Sequence, residues 1–516
     1  MGKCMIHNPV IWADVPDVDV IRVGDTYYMA STSMHTMPGC PIMKSKDLKN
    51  WEIINYVYDR LENNDEHNLV AGKNIYGKGA WAASLREHKG IFYVCFSSND
   101  TNQFYMYKTN DIEKGKWERH IIDGLMHDPG LLFDENRVFV IYGNGDLYIK
   151  ELTPDATAIK PDGIHQLLVE TKRDDLILRA EGCHVYKLRG YYYLLLIDWP
   201  TNGNRRRRII CYRSKELLGS YERKVILDDD MGYRNQGVAQ GGMVDTIHGK
   251  TYGVFFQDHD AVGRIPIVVP VEWIDDWPSI GVDGKVPECF EIDLPESPAR
   301  PMIVSDDFHY KENRLALHWQ WNHNPNDTLW SVTERKGYLR LKTGELVDGV
   351  LQARNTLTQR TEGPACKNSV KIDLSNMVDG DHAGLVALQY TFGTIGVKIK
   401  NDEKFVVMCV NDGIGKEKEV ASLPYQNDVI YVKIEYNFEQ SVDQARFFYS
   451  ADNEDWLMLG DVLQLKYGLE HFMGCRTGLF NYASLTSGGY ADFTNFTHEK
   501  LVAGQYQLIK QDGEIL

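Results

Sequence analysis

Asp17-Val18-Asp19-Val20-Ile21-Arg22-Val23-Gly24-Asp25-Thr26-Tyr27-Tyr28-Met29 is the stretch whose reading decides the fold. It consists of an acid, a few apolar positions, a Gly-Asp turn and an aromatic-rich strand, and it returns four times. Trp81–Val94 turns at Lys89-Gly90, Asp128–Val140 at Asp134-Glu135-Asn136, Glu181–Leu194 at Arg189-Gly190, and Gly241–Phe255 at His248-Gly249. From anchor to aromatic, Asp17 to Tyr28, Trp81 to Phe92, Asp128 to Phe139, Glu181 to Tyr192 and Gly241 to Tyr252, the offset is 11 in every copy. The anchors lie 64, 47, 53 and 60 residues apart. A hairpin unit recurring at this period predicts an all-β fold whose first part is a five-bladed β-propeller. A weaker repeat follows the hairpin: Ser45-Lys46-Asp47-Leu48 with Trp51, Thr109-Asn110-Asp111-Ile112 with Trp117, and Ser214-Lys215-Glu216-Leu217 with Tyr221. It reads as the turn before the outer edge of a blade.

Blades are related by rotation, so one position in each lies at one distance from the axis. The five equivalent anchors are Asp17, Trp81, Asp128, Glu181 and Gly241. Three are acids. Packing alone would not place carboxylates repeatedly at an inner position, because burying them is costly unless they are paired or hydrated. The repeat therefore predicts three carboxylates converging on one polar pocket.

Composition sets the outer limits. With 516 residues and 43% apolar content, the chain holds two or more domains with real cores. Its 56 basic and 73 acidic residues give a net charge of −17, which argues against nucleic acid or an anionic membrane as partner. The run Arg205–Arg208 is the one basic cluster and reads as a solvated loop. Nine cysteines without CxxC spacing predict reduced thiols and no zinc site. The N-terminal residues show no signal-peptide core, and the expected location is cytoplasmic. Pro287, Pro295, Pro298 and Pro301 read as a semi-rigid linker. It divides a propeller over 1–295 from a second domain over 302–516, where Tyr338–Lys342, Val397–Lys400, Val429–Tyr436 and Ala445–Tyr449 are amphipathic strands of a β-sandwich.

These residues resemble family 43 of the glycoside hydrolases. The resemblance rests on Asn8-Pro9-Val10, Pro16-Asp17 and Ile21–Tyr28 at the start, and on Met37-Pro38-Gly39 with Ser45–Leu48 and Trp51. His127-Asp128-Pro129, Glu181-Gly182, Tyr191–Leu194, Gly263-Arg264 and Val271-Glu272-Trp273 carry it onward. The second domain is similar to the concanavalin-like sandwich of two-domain members, through Asp307-Phe308, Ala383–Leu385 and Gly396–Lys398. The resemblance implies an exo-acting β-xylosidase or α-L-arabinofuranosidase with an oligosaccharide substrate. It implies Asp17 as general base, Asp128 as the acid that tunes the donor, Glu181 as general acid, Arg264 as a sugar contact and Trp81 as a pocket wall. Such chemistry needs one protonated carboxyl and one carboxylate.

Two departures from the family pattern matter. Pro16-Asp17-Val18-Asp19 places Asp19 two residues on, so Asp19 and Asp14 compete for the base role. Gln240-Gly241-Gly242 stands where many members carry a Gly-His at a central calcium, so no cofactor is required, calcium on the axis is an open site, and His259 near Arg264 is an alternative substrate or metal residue. Plain structural readings stand beside these: blade packing for Trp81, a partner for Asp258 or Asp260 in Arg264, and a core histidine in His259. Gly241, lacking a side chain, is expected to leave open space between Asp17 and Glu181. The rival functions are a retaining β-fructosidase, whose motifs fit poorly, and a non-catalytic sugar-binding propeller.

Overall fold

The computed structural model describes residues 3–171, 175–413 and 416–502. Strands make up nearly all of its regular structure; the helical segments among the described residues are short 3-10 turns. Five four-stranded antiparallel sheets follow one another in the chain. The first comprises Asp19–Val23, Thr26–Ala30, Gly39–Ser45 and Glu52–Tyr58; the second Ser84–His88, Ile91–Ser98, Gln103–Thr109 and Glu118–Asp123. The third holds Gly130–Asp134, Arg137–Tyr142, Leu147–Leu152 and His165–Val169; the fourth Leu176–Leu188, Tyr191–Pro200, Arg208–Ser214 and Glu222–Leu227. The fifth holds Ala239–Asp245, Thr251–Asp258, Arg264–Ile274 and Trp277–Ile280. The repeated hairpin is the first two strands of each blade, with Val23 opposite Thr26 across the Gly24-Asp25 turn. The second repeat falls between the third and fourth strands, where Asp47 Oδ1 accepts from the backbone N–H of Lys49 and of Asn50.

Both faces of a blade are apolar because both meet a neighbour. Phe92, Val94 and Phe96 pack toward the first blade, while Tyr93 and Cys95 pack toward the third. Five such inter-blade cores result, one per seam. The seam between fifth and first blades also contains a two-stranded ribbon, Lys3–His7 paired with Cys289–Pro295. This corrects the linker reading: half of the proline-bounded segment is a strand that ties the chain start to the end of the ring.

The sandwich has two sheets. One runs Lys418–Tyr425, Glu403–Asn411, Phe392–Lys400, Asp381–Leu388, Arg476–Ala483, Leu357–Arg360 and Gln320–Asn322, and takes its edge strand, Thr36–Met37, from the first blade. The other is built on Tyr490–Leu501, Ala365–Asp373, Val429–Asn437 and Gln444–Ser450. Ala261, Val262 and Ile265 of the fifth blade join the sandwich core. Residues 503–516, at the end of the expected second domain, lie outside the described residues.

Candidate active site

The first strands of the blades converge at the axis, and just above them opens a cleft of about 630 Å³. Asp17, Trp81, Asp128 and Glu181, the anchors of blades one to four, all line it. Local backbone aims them. Asp17 and Asp128 hold φ of 50° and 44°, a left-handed conformation that aspartate tolerates better than most residues and that turns the side chain out of the strand line. Glu181 sits inside its strand, between register shifts at Leu178/Glu181 and Glu181/His184, and these bulges re-aim it.

Asp17 is buried and pairs with Arg264, whose Nη1 reaches both carboxylate oxygens at 2.8 and 3.0 Å; the Thr32 hydroxyl donates to Oδ2 at 2.8 Å. Arg264 lies over the rings of Phe256 and Phe472, and its Nε and Nη2 are buried without a protein partner.

In the same cleft, Asp128, Glu181 and His127 place ligand atoms within 4.8 Å of one another. Asp128 Oδ2 accepts from the Gly182 N–H at 3.0 Å, and Glu181 Oε2 accepts from the Asn144 amide at 2.7 Å. His127 Nε2 lies 3.2 Å from Glu181 Oε2 and 3.5 Å from Asp128 Oδ2. Burial raises the Asp128 carboxyl, Glu181 and Asp17 push the same way, and the result is about 7 despite the opposing pull of His127. Burial disfavours the charged His127 ring, but Asp128, Glu181 and Asp17 outweigh it and lift the ring to about 9. Groups coupled this closely titrate as a unit. His127 was in the quoted motif yet drew no role, because it stands one residue off the repeat's anchor.

Asp19 and Asp14 do not share this cleft. Asp19 is fully buried at the axis, bonded to the Leu85 N–H (2.8 Å), Ser84, Arg86 Nη1 (2.7 Å) and His184 Nδ1 (3.1 Å). Burial alone would raise its carboxyl, but Arg86 and His184 hold it well below the usual carboxylate range. Asp14 accepts from the Arg264 and Gly474 backbone N–H groups, both at 2.8 Å, and so fastens the propeller to the sandwich.

Three expectations are corrected. His259 does not line the cleft; it is buried, stacked on Tyr233 at 3.9 Å and bonded through Nε2 to Gln257, and burial drops its ring to about 3. Gly241 leaves no open space: a register shift between Ala239 and Gly241 throws Gln240 into the cleft with φ of 55°, and a Cβ on Gly241 would lie 2.0 Å from the Val254 carbonyl. The Arg205–Arg208 run is not simply solvated, since Arg206 pairs with Asp228 and Asp230, Arg208 with Asp198, and Arg207 with Asp258 at the cleft.

The rest of the wall comes from the sandwich. Tyr467, Leu469 and Phe472 line the cleft, with Phe472 edge-on to Trp81 at 5.6 Å. On the propeller side Met34 lines it, while its neighbour His35 is buried between the domains.

A family model described as glycosyl hydrolases family 43 matches residues 6–278, and one described as the beta xylosidase C-terminal concanavalin A-like domain matches 305–499. The chain belongs to glycosyl hydrolase family 43. It is a glycoside hydrolase built as a five-bladed propeller followed by a concanavalin-like sandwich. It is 30% identical to a beta-xylosidase of Formosa agariphila over 95% of this chain and 90% of that one. It is 28% identical to a non-reducing end alpha-L-arabinofuranosidase of Bacteroides ovatus over 75% and 74%. Among solved structures, a Bacteroides eggerthii protein described as a bifunctional GH43-CE superposes with a TM-score of 0.91 at 44% identity, covering 97% of this chain. This chain spans 64% of the length of that protein.

Proposed function

We propose that this hydrolase removes terminal pentoses, β-D-xylose and/or α-L-arabinofuranose, one at a time from xylo-oligosaccharides or arabinose-substituted cell-wall glycans, with inversion. Asp17 is the base that takes a proton from water, Glu181 protonates the leaving oxygen, and Asp128 with His127 positions and tunes Glu181. The observation that carries this reading is the gathering of Asp17, Asp128 and Glu181 in one cleft, Asp17 held by Arg264 and Glu181 by His127 and Asn144. Inversion is the family's stereochemical course, and it requires a base and an acid on opposite sides of the sugar. The exo mode is supported by the closure of one wall by Tyr467, Leu469 and Phe472. Trp81 offers the sugar an apolar face, and Arg264 on the cleft wall is its charged contact.

The axis supports a reaction without calcium. A calcium ion needs six to eight oxygen ligands, whereas Asp19 is already spent on Arg86, Ser84 and the Leu85 N–H, and the partly buried Arg86 guanidinium supplies the positive charge there.

Hydrolysis of nitrophenyl β-xyloside and nitrophenyl α-L-arabinofuranoside side by side tests the substrate class. Proton NMR of the first turnovers should show α-xylose from a β-xyloside. Initial β-xylose would sink the inverting assignment, and early release of long oligosaccharides would sink the exo mode.

A further inference from the structure

His382, Cys409 and Glu417 stand together on the sandwich, each placing a ligand atom within 4.8 Å of the others. They lie on the face turned away from the sandwich core: Ala383 and Leu385 beside His382, and Met408 beside Cys409, belong to that core. None takes part in the chemistry above. The ring of His382 is fully buried and Cys409 is 3% exposed.

With Glu417 ionised, as a bound metal requires, the hydrogen bonds select one tautomer of His382. Tyr482 has one hydroxyl proton and donates it to Glu417 Oε1 at 3.3 Å, so at 3.0 Å from His382 Nδ1 it accepts. Nδ1 therefore carries the ring proton and Nε2 keeps its lone pair. That Nε2 is buried and has no partner. A neutral imidazole with an outer hydrogen bond on one nitrogen and a bare lone pair on the other is the form in which histidine ligates a metal. Glu417 is anchored by the Val350 N–H at 3.1 Å to Oε2, and among the described residues no Lys or Arg forms an ion pair with it. Burial raises the Cys409 thiol to about 12, raises the Glu417 carboxyl and drops the His382 ring to about 3. The Lys398 ammonium acts on all three groups but forms its ion pair with Glu419 at 3.4 Å, so among the described residues no cation is paired within the cluster.

We propose that His382 Nε2, Cys409 Sγ and the Glu417 carboxylate form a structural zinc site. A sulfur, nitrogen and oxygen donor set selects zinc over calcium or magnesium, and three protein ligands plus one water complete a tetrahedron. Binding takes the thiol proton, and the carboxyl proton where present, into solvent and leaves Cys409 as thiolate. The ion pins strand Asp381–Leu388, strand Glu403–Asn411 and the chain entering Lys418–Tyr425 to the turn at Val350. The ligands are 27 and 8 residues apart in sequence, which is why no CxxC-type spacing announced them.

The test uses the full chain, stripped with a chelator and then loaded with Zn²⁺ or Co²⁺. One zinc per chain should survive gel filtration, and the cobalt form should show a thiolate-to-metal charge-transfer band. Cys409→Ser should abolish that band, and His382→Gln should weaken zinc binding by about 100-fold or more. Should those variants fail to fold, Tyr482→Phe, which keeps the ring and loses the outer hydrogen bonds, should weaken binding ~10–100-fold. A wild-type chain that retains no metal overturns the site. So does bound cobalt without a thiolate band, the signature of binding at His127, Asp128 and Glu181, or a band that persists in Cys409→Ser.

Discussion

Asp17 and Asp19 are two residues apart and chemically identical, yet they do opposite work. Asp17 faces the cleft with Arg264 behind it, and Asp19 is locked among Arg86, His184 and two N-terminal groups of the second blade's first strand. Asp17→Asn and Glu181→Gln should each cut kcat by ~10²–10⁴-fold or more, because direct proton transfer is lost. Glu181→Gln should hold the melting temperature, whereas Asp17→Asn should also lower it by leaving the buried Arg264 without its ion pair. Asp19→Asn should instead weaken the fold, by roughly 3–5 kcal/mol if the Arg86 charge is left unpaired. Collapse of kcat in a stable Asp19→Asn, with near-normal Asp17→Asn, would move the base to Asp19. His127 adds a pH signature. Its folded pKa of about 9 lies above the unfolded value near 6.5, so its contribution to stability is full below pH 6.5 and is lost as pH rises through 9. His127→Gln should therefore flatten the fall in melting temperature between pH 6.5 and 9 and shift the alkaline limb of kcat. An unchanged alkaline limb would remove His127 from the proton-sharing group.

At the scale of elements, the sequence exposed whatever repeats and concealed whatever is contributed once. The anchor-to-aromatic offset marked the hairpins of all five blades, and three of its anchors are among the acids in the cleft. Gln240 was hidden by the bulge that shifts the fifth anchor by one residue, a change no spacing can reveal. Strand Cys289–Pro295 was hidden by its prolines, which sit at its borders and do not interrupt its pairing with Lys3–His7. The segment Tyr467–Phe472 carries no motif, because its role arises only when a distant domain folds against the propeller. Phe472, with φ of 55°, puts its ring against Trp81 and beneath Arg264, and so holds both of the cleft residues proposed to meet the sugar. Phe472→Ala should raise KM by about tenfold, near 1.4 kcal/mol, with a smaller change in kcat. A kcat loss as large as that of Glu181→Gln, with KM constant, would mean that the ring acts on the chemistry rather than on binding.

Over the whole molecule, charge at two buried joints decides how the parts hold together. The first is the propeller hub, where Arg86 binds Asp19 of the first blade and approaches the Val185 carbonyl and the Tyr186 ring of the fourth. Arg86→Met should cost roughly 3–5 kcal/mol by stranding Asp19. A calcium-selective chelator should leave turnover of the wild-type enzyme unchanged, and loss of turnover that calcium restores would show that the hub needs a metal after all.

The second joint lies between the domains. His35 of the propeller meets His323 and His471 of the sandwich at 5.1 and 5.0 Å between ring centres, with Tyr76 wedged among them and Arg476 buried nearby. Burial drops His471 to about 3 and holds His35 and His323 well below their usual value, with neighbouring histidines adding to the shift. These rings are neutral when folded and take protons near pH 6.5 when unfolded. The folded state therefore keeps their contribution above pH 6.5 and loses it progressively as pH falls toward 3. Because His35 sits beside the Thr36–Met37 strand that completes the sandwich sheet, protonation should loosen both domains together. Calorimetry should show one unfolding transition whose midpoint already declines between pH 6.5 and 5, before most carboxylates titrate. His35→Phe, an apolar ring in the same space, should make that decline shallower. Two separate transitions, or a slope unchanged by His35→Phe, would place the acid sensitivity elsewhere and make the domains independent folding units.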